Sequence, residues 1–317
     1  MGRAQVRIAV VGAGRMGSVH LEALARAARA RAVAVVDPEP AARARAADRG
    51  LRSHASVEEL LAAGGFDAAL IATPSGLHAE LVERFASAGI SVLCEKPCGL
   101  RAGDALAAGR AAERAGIRLQ VGYWRRFVPE LEQLRSRLAS GELGVPLLLS
   151  CHQWDEWPPS PEYRATSGGI AIDMGVHELD QARWLLGQEI EALAARPAGP
   201  PTADPGDPDA AVAVARLSGG AGLVITLGRR FEPGDCCWLE LTCERAYERC
   251  PFMWGADAER AFLTALAAQA DAFADSLDDG AARGAGAADA VAALAAAEWF
   301  DQALARMETK PEEAPAR

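Results

Sequence analysis

The sequence predicts an α/β protein with two domains, a doubly wound parallel sheet followed by an α+β domain with an open antiparallel sheet. The chain has 317 residues, which suits two domains at roughly 100–200 residues each. In its first third, short β-branched runs alternate with alanine-rich helical stretches, as in βαβ units. From residue 189 onward, strand-like segments are separated by Pro/Gly/Asp turn clusters, which is typical of an antiparallel sheet.

The elements of the first domain follow from hydrophobic runs and the segments between them. Residues 15–30 have helical character and follow the first apolar run directly. We expect the first domain to end at residue 122, so that the domains are 1–122 and 123–317. The predicted strands of the first domain are 6–11, 32–37, 68–72, 91–94 and 118–121.

The second domain mixes both kinds of element. Its predicted helices are 128–140, 172–186, 256–278 and 286–307, and its predicted strands are 145–154, 189–198, 210–217, 221–229 and 236–249. The turn cluster of residues 200–208 separates two of these strands. The second of the helices carries acidic and histidine side chains, which makes it a candidate for chemistry.

Composition excludes several classes of function. The formal net charge is −10, the opposite of the basic footprint that nucleic-acid binding requires, so we expect no nucleic-acid partner. No apolar run of about 18 residues or secretory signal is evident, so we expect a cytoplasmic protein without a membrane partner. The seven cysteines lack C-x-x-C spacing, so they are interpreted as reduced thiols and no metal is expected.

A glycine pattern directly after the first predicted strand indicates a dinucleotide site. Gly12, Gly14 and Gly17 permit a tight turn, close approach of a pyrophosphate and close packing of the next helix. The start of that helix, with Arg15 and Met16, offers unpaired N–H groups to a phosphate. We therefore expect all five residues to contact the cofactor.

Asp37 closes the second predicted strand and selects between cofactors. It lies 20 residues after Gly17, where a carboxylate can bind the ribose hydroxyls and repel a 2′-phosphate. This favours NAD over NADP. The alternative is that Asp37, which precedes Pro38, only caps the next helix.

Four further segments, in this order and spacing, resemble the glucose-fructose oxidoreductase and inositol dehydrogenase (Gfo/Idh/MocA) family. They are Ala72-Thr-Pro74 with Leu77-His78, then Glu95-Lys96-Pro97, Gly122-Tyr-Trp-Arg-Arg-Phe127, and Gly168-Gly-Ile-Ala-Ile-Asp173-Met-Gly-Val-His177-Glu-Leu-Asp180. The resemblance covers roughly residues 5–190 and is greatest to the myo-inositol dehydrogenase branch. It implies a Rossmann domain, an open-sheet domain that often builds homodimers or homotetramers, and NAD(P)-linked oxidation of sugars or cyclitols.

Oxidation of a secondary alcohol with NAD needs a base for the hydroxyl proton, and His177 is the candidate. Asp173 lies four residues earlier on the predicted helix, on the same face. Lys96 is one of only two lysines in an arginine-rich chain and suits a compact donor. We expect Lys96 to contact the cofactor and to donate to the reacting oxygen, Asp173 to orient the lysine and a hydroxyl, and His177 to carry the proton. The alternatives are a solvated acidic patch and an exposed loop lysine.

Other residues are assigned more weakly. Thr73, Pro74 and His78 follow a strand at the edge where such sheets bind cofactors, although His78 also fits a partly exposed helical histidine without chemistry. Glu95 is expected either to contact the nicotinamide ribose, as the resemblance implies, or to pair with an arginine. Arg126 is expected to hold the substrate. The family also suggests that the Lys96–Pro97 bond is cis.

Together these observations predict an NAD-dependent oxidoreductase that reversibly converts a secondary alcohol of a myo-inositol-like cyclitol or a sugar to a ketone. Two alternatives stay open. One is an NAD(P)-dependent ketosugar reductase in a biosynthetic pathway. The other is a non-catalytic NAD-binding regulator, because a fold does not determine a function.

Overall fold

The computed structural model describes residues 4–200 and 207–306. They divide into two compact units. The first contains the chain up to residue 129 and residues 259–292, and the second contains residues 130–258 and the chain from residue 293. The predicted single boundary at residue 122 differs from this division, because the chain returns to the first unit after completing most of the second.

The first unit contains a six-stranded sheet with the strand order β3-β2-β1-β4-β5-β6. All five strand pairs are parallel, which confirms the doubly wound arrangement. The central strands β1 and β4 are buried apart from Arg7 of β1, as their nearly continuous apolar sequences require. The strands are β1 (Val6–Val11), β2 (Ala30–Val36), β3 (Arg52–His54), β4 (Ala68–Ile71), β5 (Ser91–Cys94) and β6 (Leu119–Val121).

Five helices connect these strands. They are α1 (Arg15–Arg26), α2 (Pro40–Asp48), α3 (Val57–Ala63), α4 (His78–Ser87) and α5 (Ala102–Ala115). Helix α1 is shorter than predicted because β2 already begins at Ala30. Strand β3 was not predicted, since its three residues are polar and two of them are exposed.

The second unit contains a six-stranded sheet with the order β12-β11-β7-β10-β9-β8. Strands β7 and β10 pair in parallel and the other pairs are antiparallel, so the predicted antiparallel sheet is in fact mixed. The strands are β7 (Pro146–Trp154), β8 (Ile190–Pro197), β9 (Ala210–Leu217), β10 (Gly222–Gly228), β11 (Cys236–Cys243) and β12 (Tyr247–Met253). The prediction of one strand over 236–249 is wrong, because a turn divides this segment into the hairpin β11–β12. Cys243 N donates to Ala246 O at 2.8 Å and closes that turn.

Helices α6 (Pro129–Ala139), α7 (Pro161–Ser167) and α8 (Val176–Leu186) belong to this part of the chain, and α7 was not predicted. Helix α8 packs on one face of the sheet, where Gln181 Nε2 donates to Cys151 Sγ at 3.2 Å. Side chains on the opposite face stay in solvent: Leu148 is 41% exposed, Val214 54% and Tyr247 60%.

Two long helices complete the described chain, α9 (Ala258–Asp279) and α10 (Ala287–Ala305). In the first unit, α9 is tied to the start of β2 through Arg29. The backbone N–H of Arg29 donates to Asp271 at 2.6 Å, and its Nε donates to Asp275 at 2.8 Å. Helix α10 corresponds to the predicted helix 286–307 and ends at residue 305, and residue 307 lies outside the described residues.

Within residues 4–200 and 207–306, no helix is both long enough and apolar enough to cross a bilayer.

Candidate active site

The loop between β1 and α1 contains two glycines, Gly12 and Gly17, at positions that leave no space for a side chain. A Cβ on Gly12, whose φ is +89°, would lie 2.7 Å from the Ala72 carbonyl oxygen. A Cβ on Gly17 would lie 1.9 Å from the Gly12 carbonyl oxygen. Gly14 is different, because nothing lies within 4 Å of its Cβ position. The loop is thus closed on its protein side and open in front of the α1 N-terminus, where Arg15 is exposed.

Asp37 follows β2 and ties that strand to the glycine loop. Its carboxylate is 8% exposed. Oδ2 accepts from Ala13 N at 2.7 Å, and Oδ1 accepts from Glu39 N at 2.9 Å. The N-cap of α2 is Glu39, so Asp37 does not cap that helix in the usual way. Each carboxylate oxygen keeps further acceptor capacity for a ribose hydroxyl.

The residues around this loop fit a dinucleotide. Thr73 follows β4, and its Oγ1 is buried without a hydrogen-bond partner in the described part of the chain. A buried hydroxyl of this kind is costly unless a ligand satisfies it. Open space at Gly14, the free N–H groups of the α1 N-terminus and the Asp37 carboxylate supply the other contacts that a pyrophosphate and a ribose need.

Lys96 stands on a turn after β5 that buried groups hold in place. Its peptide bond to Pro97 is cis, as the family resemblance suggested. Glu95 precedes it and is 6% exposed. Glu95 Oε2 accepts from Lys96 N at 3.0 Å, while Oε1 lies 2.5 Å from His20 Nε2. The expected arginine partner of Glu95 is therefore wrong, because its partner is His20.

The partner explains the ionisation of Glu95. Burial raises the pKa of the carboxyl, but the hydrogen bond from His20 and the positive charges nearby outweigh burial, and the net pKa is lower than its ordinary value. His20 was not singled out in the sequence. The sequence did contain a feature that could have indicated His20: it is a histidine among apolar residues on the buried side of α1, next to Leu21 and Leu24.

His78 joins two loops of the first unit. It begins α4 and is 1% exposed, so the expectation of a partly exposed histidine is wrong. Nδ1 lies 2.7 Å from Pro97 O, and Nε2 lies 2.8 Å from Thr73 O. Burial lowers the pKa of the ring. Both ring nitrogens lie within hydrogen-bond distance of backbone carbonyls, and a neutral ring can donate to one of the two. Cofactor contact by His78 stays a prediction.

Arg126 is also more enclosed than a substrate-binding arginine needs to be. It lies in the short helical turn of residues 124–127 and is 8% exposed. Its NH2 group lies 3.0 Å from Asp289 Oδ1. This ion pair fixes the guanidinium within the first unit, and substrate contact by Arg126 stays a prediction.

In the second unit, Asp173 and His177 lie in one buried segment. The predicted helix 172–186 starts instead with a π-helical turn, Ala171–Gly175, followed by α8. Such turns are rare and frequent at functional sites. His177 is 7% exposed, and the next residue, Glu178, is fully buried, so the alternative of a solvated acidic patch is wrong.

The Asp173 carboxylate is held on both oxygens. Oδ1 accepts from the Tyr163 hydroxyl at 3.0 Å, and Oδ2 lies 3.4 Å from Arg229 NH2. Neither Arg229 nor Tyr163 is among the site residues predicted from the sequence. A signal for Arg229 existed, since it directly follows an apolar strand, as Asp37 does. Lys96 belongs to the first unit, and Asp173 and His177 belong to the second.

Comparison with known proteins gives consistent matches. Residues 6–123 match the model of an oxidoreductase family with an NAD-binding Rossmann fold, and residues 131–247 match the GFO/IDH/MocA C-terminal domain. The chain is 46% identical to the rhizopine catabolism protein MocA of Rhizobium meliloti over 311 residues, which cover 96% of this chain and 97% of that protein. It is 33% identical to an inositol 2-dehydrogenase of Rhizobium meliloti, over 72% of this chain and 70% of that protein.

A solved structure shares the whole architecture. The myo-inositol dehydrogenase from Corynebacterium glutamicum superposes with a TM-score of 0.85 at 26% sequence identity, covering 94% of this chain and 96% of that one.

The glycine loop generates a matched pair of predictions. Gly17→Ala is expected to lower the melting temperature, because its methyl group has no space beside the Gly12 carbonyl. Gly14→Ala is expected to keep the melting temperature and to weaken NADH binding by about tenfold, because its methyl group fills the space in front of α1. Thermal melting without cofactor and fluorescence titration with NADH measure the two effects. Wild-type NADH affinity in Gly14→Ala would contradict the proposed position of the pyrophosphate.

The Glu95–His20 pair generates a pH prediction. Since folding lowers the pKa of Glu95, its ionised form stabilises the fold above its ordinary pKa of 4.5, and this stability is lost as the pH falls through the lowered value. Glu95→Gln is therefore expected to melt below the wild type at neutral pH, with a gap that narrows in acid.

Melting curves from about pH 7 to about pH 3 test this. Glu22→Gln is the control, because Glu22 forms an exposed ion pair with Arg26 on α1, the helix that carries His20. We expect this substitution to change the melting temperature little at any pH. A gap for Glu95→Gln that is constant over this pH range refutes the role of ionised Glu95.

Proposed function

This chain belongs to the GFO/IDH/MocA oxidoreductase family, and from that membership we propose that it reversibly oxidises a secondary alcohol of a cyclitol or sugar to a ketone with NAD. The observation that carries the proposal is the buried segment in which a braced carboxylate, Asp173, precedes a buried histidine, His177. A pure binding domain does not need a proton-transfer group there. The inositol 2-dehydrogenase among the relatives supports the same substrate class.

Each residue has a separate role in the proposed reaction. When bound, NAD supplies the hydride acceptor for the C–H hydrogen of the alcohol. His177 accepts the hydroxyl proton, so that the products are the ketone, NADH and one proton. Lys96 donates a hydrogen bond to the reacting oxygen, and Asp173 accepts one from a second hydroxyl of the substrate.

Two features of the first unit suit Lys96 to this role. Its side chain is half-buried, and its backbone N–H is bound by the Glu95 carboxylate at 3.0 Å. Glu95 itself is held by His20. The lysine side chain is a compact hydrogen-bond donor, and the turn fixes the position of the backbone from which it extends.

Asp37 supports NAD over NADP. Its buried carboxylate lies at the end of β2, beside the glycine loop, and a 2′-phosphate placed there would face a negative charge. Gly12, Gly14, Arg15, Met16, Gly17, Thr73 and Pro74 complete the proposed cofactor contacts.

Rhizopine is a second candidate substrate. The relative named for rhizopine catabolism matches this chain over 96% of its length at 46% identity, whereas the inositol 2-dehydrogenase matches over 72% at 33% identity. The longer and closer match favours testing rhizopine beside the inositols.

We also propose that the protein works in the cytoplasm as a homodimer or homotetramer, without nucleic-acid or membrane partners. The free cysteines of the described residues suit a reducing compartment, and a net charge of −10 disfavours nucleic acid. The exposed apolar side chains on the open face of the second sheet support self-association.

A substitution on that face tests self-association. Val214→Glu places a charge on the 54% exposed centre of β9, and we expect it to shift the protein toward the monomer. Light scattering coupled to size-exclusion chromatography measures the mass, with Leu106→Glu on the surface of α5 in the first unit as the control. A monomeric wild type would refute the proposal.

The activity is tested by initial rates of NAD and NADP reduction with inositol isomers, aldoses, phosphorylated sugars and rhizopine. We expect turnover of a cyclitol with NAD, and a loss of about 10²–10⁴-fold in His177→Ala, because the proton acceptor is removed. NADH titration of the same variant is the control and is expected to match the wild type. Tight NADH binding without oxidation of any polyol would contradict the proposal and favour a ketosugar reductase or a regulator.

A further inference from the structure

We propose that Arg229 and Asp207 are positioning residues, which together orient the Asp173 carboxylate toward the substrate. This inference rests on the proposed function, in which Asp173 binds a substrate hydroxyl. It adds a buried ion pair to the residues that were predicted from the sequence: Asp207 lies in a turn cluster, and Arg229 directly follows a strand.

Arg229 is buried completely and aimed at two carboxylates. It directly follows β10, and it is 1% exposed. Its NH1 group lies 2.8 Å from both oxygens of Asp207, and its NH2 group lies 3.4 Å from Asp173 Oδ2. Because the guanidinium is planar, fixing NH1 on Asp207 also fixes the direction of NH2.

Asp207 holds the same segment from a second point. It is 5% exposed, and its Oδ1 accepts from Ile170 N at 2.8 Å. Ile170 directly precedes the π-helical turn that carries Asp173. Gly169 lies just before it with φ +82°, and a Cβ there would lie 3.7 Å from Asp207 Oδ1. Asp207 therefore fixes the start of the turn through its bond to the Ile170 backbone. It also fixes the Asp173 side chain, through Arg229.

The pair has a clear consequence for Asp173. One of its oxygens accepts from the Tyr163 hydroxyl and the other faces Arg229, so that rotation about the side-chain bonds is restricted. The carboxylate is still 15% exposed. It keeps lone pairs for the hydroxyls of a polyol, and their direction is set by the protein. An oriented acceptor of this kind selects which ring hydroxyl is placed for oxidation.

A neighbouring ion pair provides a matched control. Arg230 Nε lies 2.6 Å from Asp209 Oδ2, and the side chain of Arg230 is 68% exposed. Arg230 is next to Arg229 in the chain, but none of its described bonds reaches Asp173. Removing its charge changes the local charge as Arg229→Met does, without removing the contact with Asp173.

The experiment is a double-mutant cycle on kcat/KM for the polyol that the wild type oxidises. Arg229→Met is expected to lower kcat/KM about 100-fold and Asp207→Asn about tenfold, because the carboxylate loses its orientation. Arg229→Lys, which keeps the charge, is expected to recover part of the loss. NADH affinity is expected to stay within about twofold of the wild type in every variant, since the cofactor contacts are unchanged.

The cycle separates a positioning role from a structural one. Adding Arg229→Met to Asp173→Asn is expected to cost less than about threefold beyond Asp173→Asn alone, because both changes remove the same function. Arg230→Met is expected to keep kcat/KM within about twofold of the wild type. Losses that multiply in the double variant, or an equal loss in Arg230→Met, would overturn the inference while leaving the proposed function intact. A wild type that oxidises no polyol with NAD would overturn both.

Discussion

Burial of charge is the constraint on which the candidate residues of each unit depend. A charged group taken out of water is stable only when the fold supplies hydrogen bonds or an opposite charge. In the first unit, the backbone N–H groups of the glycine loop and of α2 satisfy Asp37, and His20 satisfies Glu95. In the second unit, Arg229 connects Asp207 with Asp173. The groups that we propose to bind and orient ligands are thus held by groups that the fold must pair in any case.

This constraint divides the polar residues into two kinds. Glu95, Asp207 and Arg229 are almost fully enclosed and are bound by other groups of the protein, so we propose that they act through the residues that they hold. Lys96 and Asp173 are only partly buried, so a ligand can reach them. Enclosure makes the first kind rigid, and rigidity gives the second kind a defined direction.

The proposed roles of Asp173 and His177 are consistent with the chemistry of the family to which the chain belongs. The match to the rhizopine catabolism protein extends over 96% of the chain, and the superposition on a solved myo-inositol dehydrogenase covers 94% of it. A polyol carries several equivalent hydroxyls, and an enzyme that oxidises one of them must fix the orientation of the ring. We propose that the Asp173 carboxylate, held by Tyr163 in the same buried segment as His177, meets that requirement.

The sequence alone determined the local features of this protein. The apolar run of β1, from Val6 to Val11, and the glycines after it depend on neighbouring residues only, and they appear where the pattern predicted them. Tertiary structure decided the rest: the parallel pairing of β7 with β10, the partner of Glu95 and the role of Asp207. The physical reason is that each of these depends on groups distant in the chain, 75 residues apart for His20 and Glu95, which no local pattern specifies.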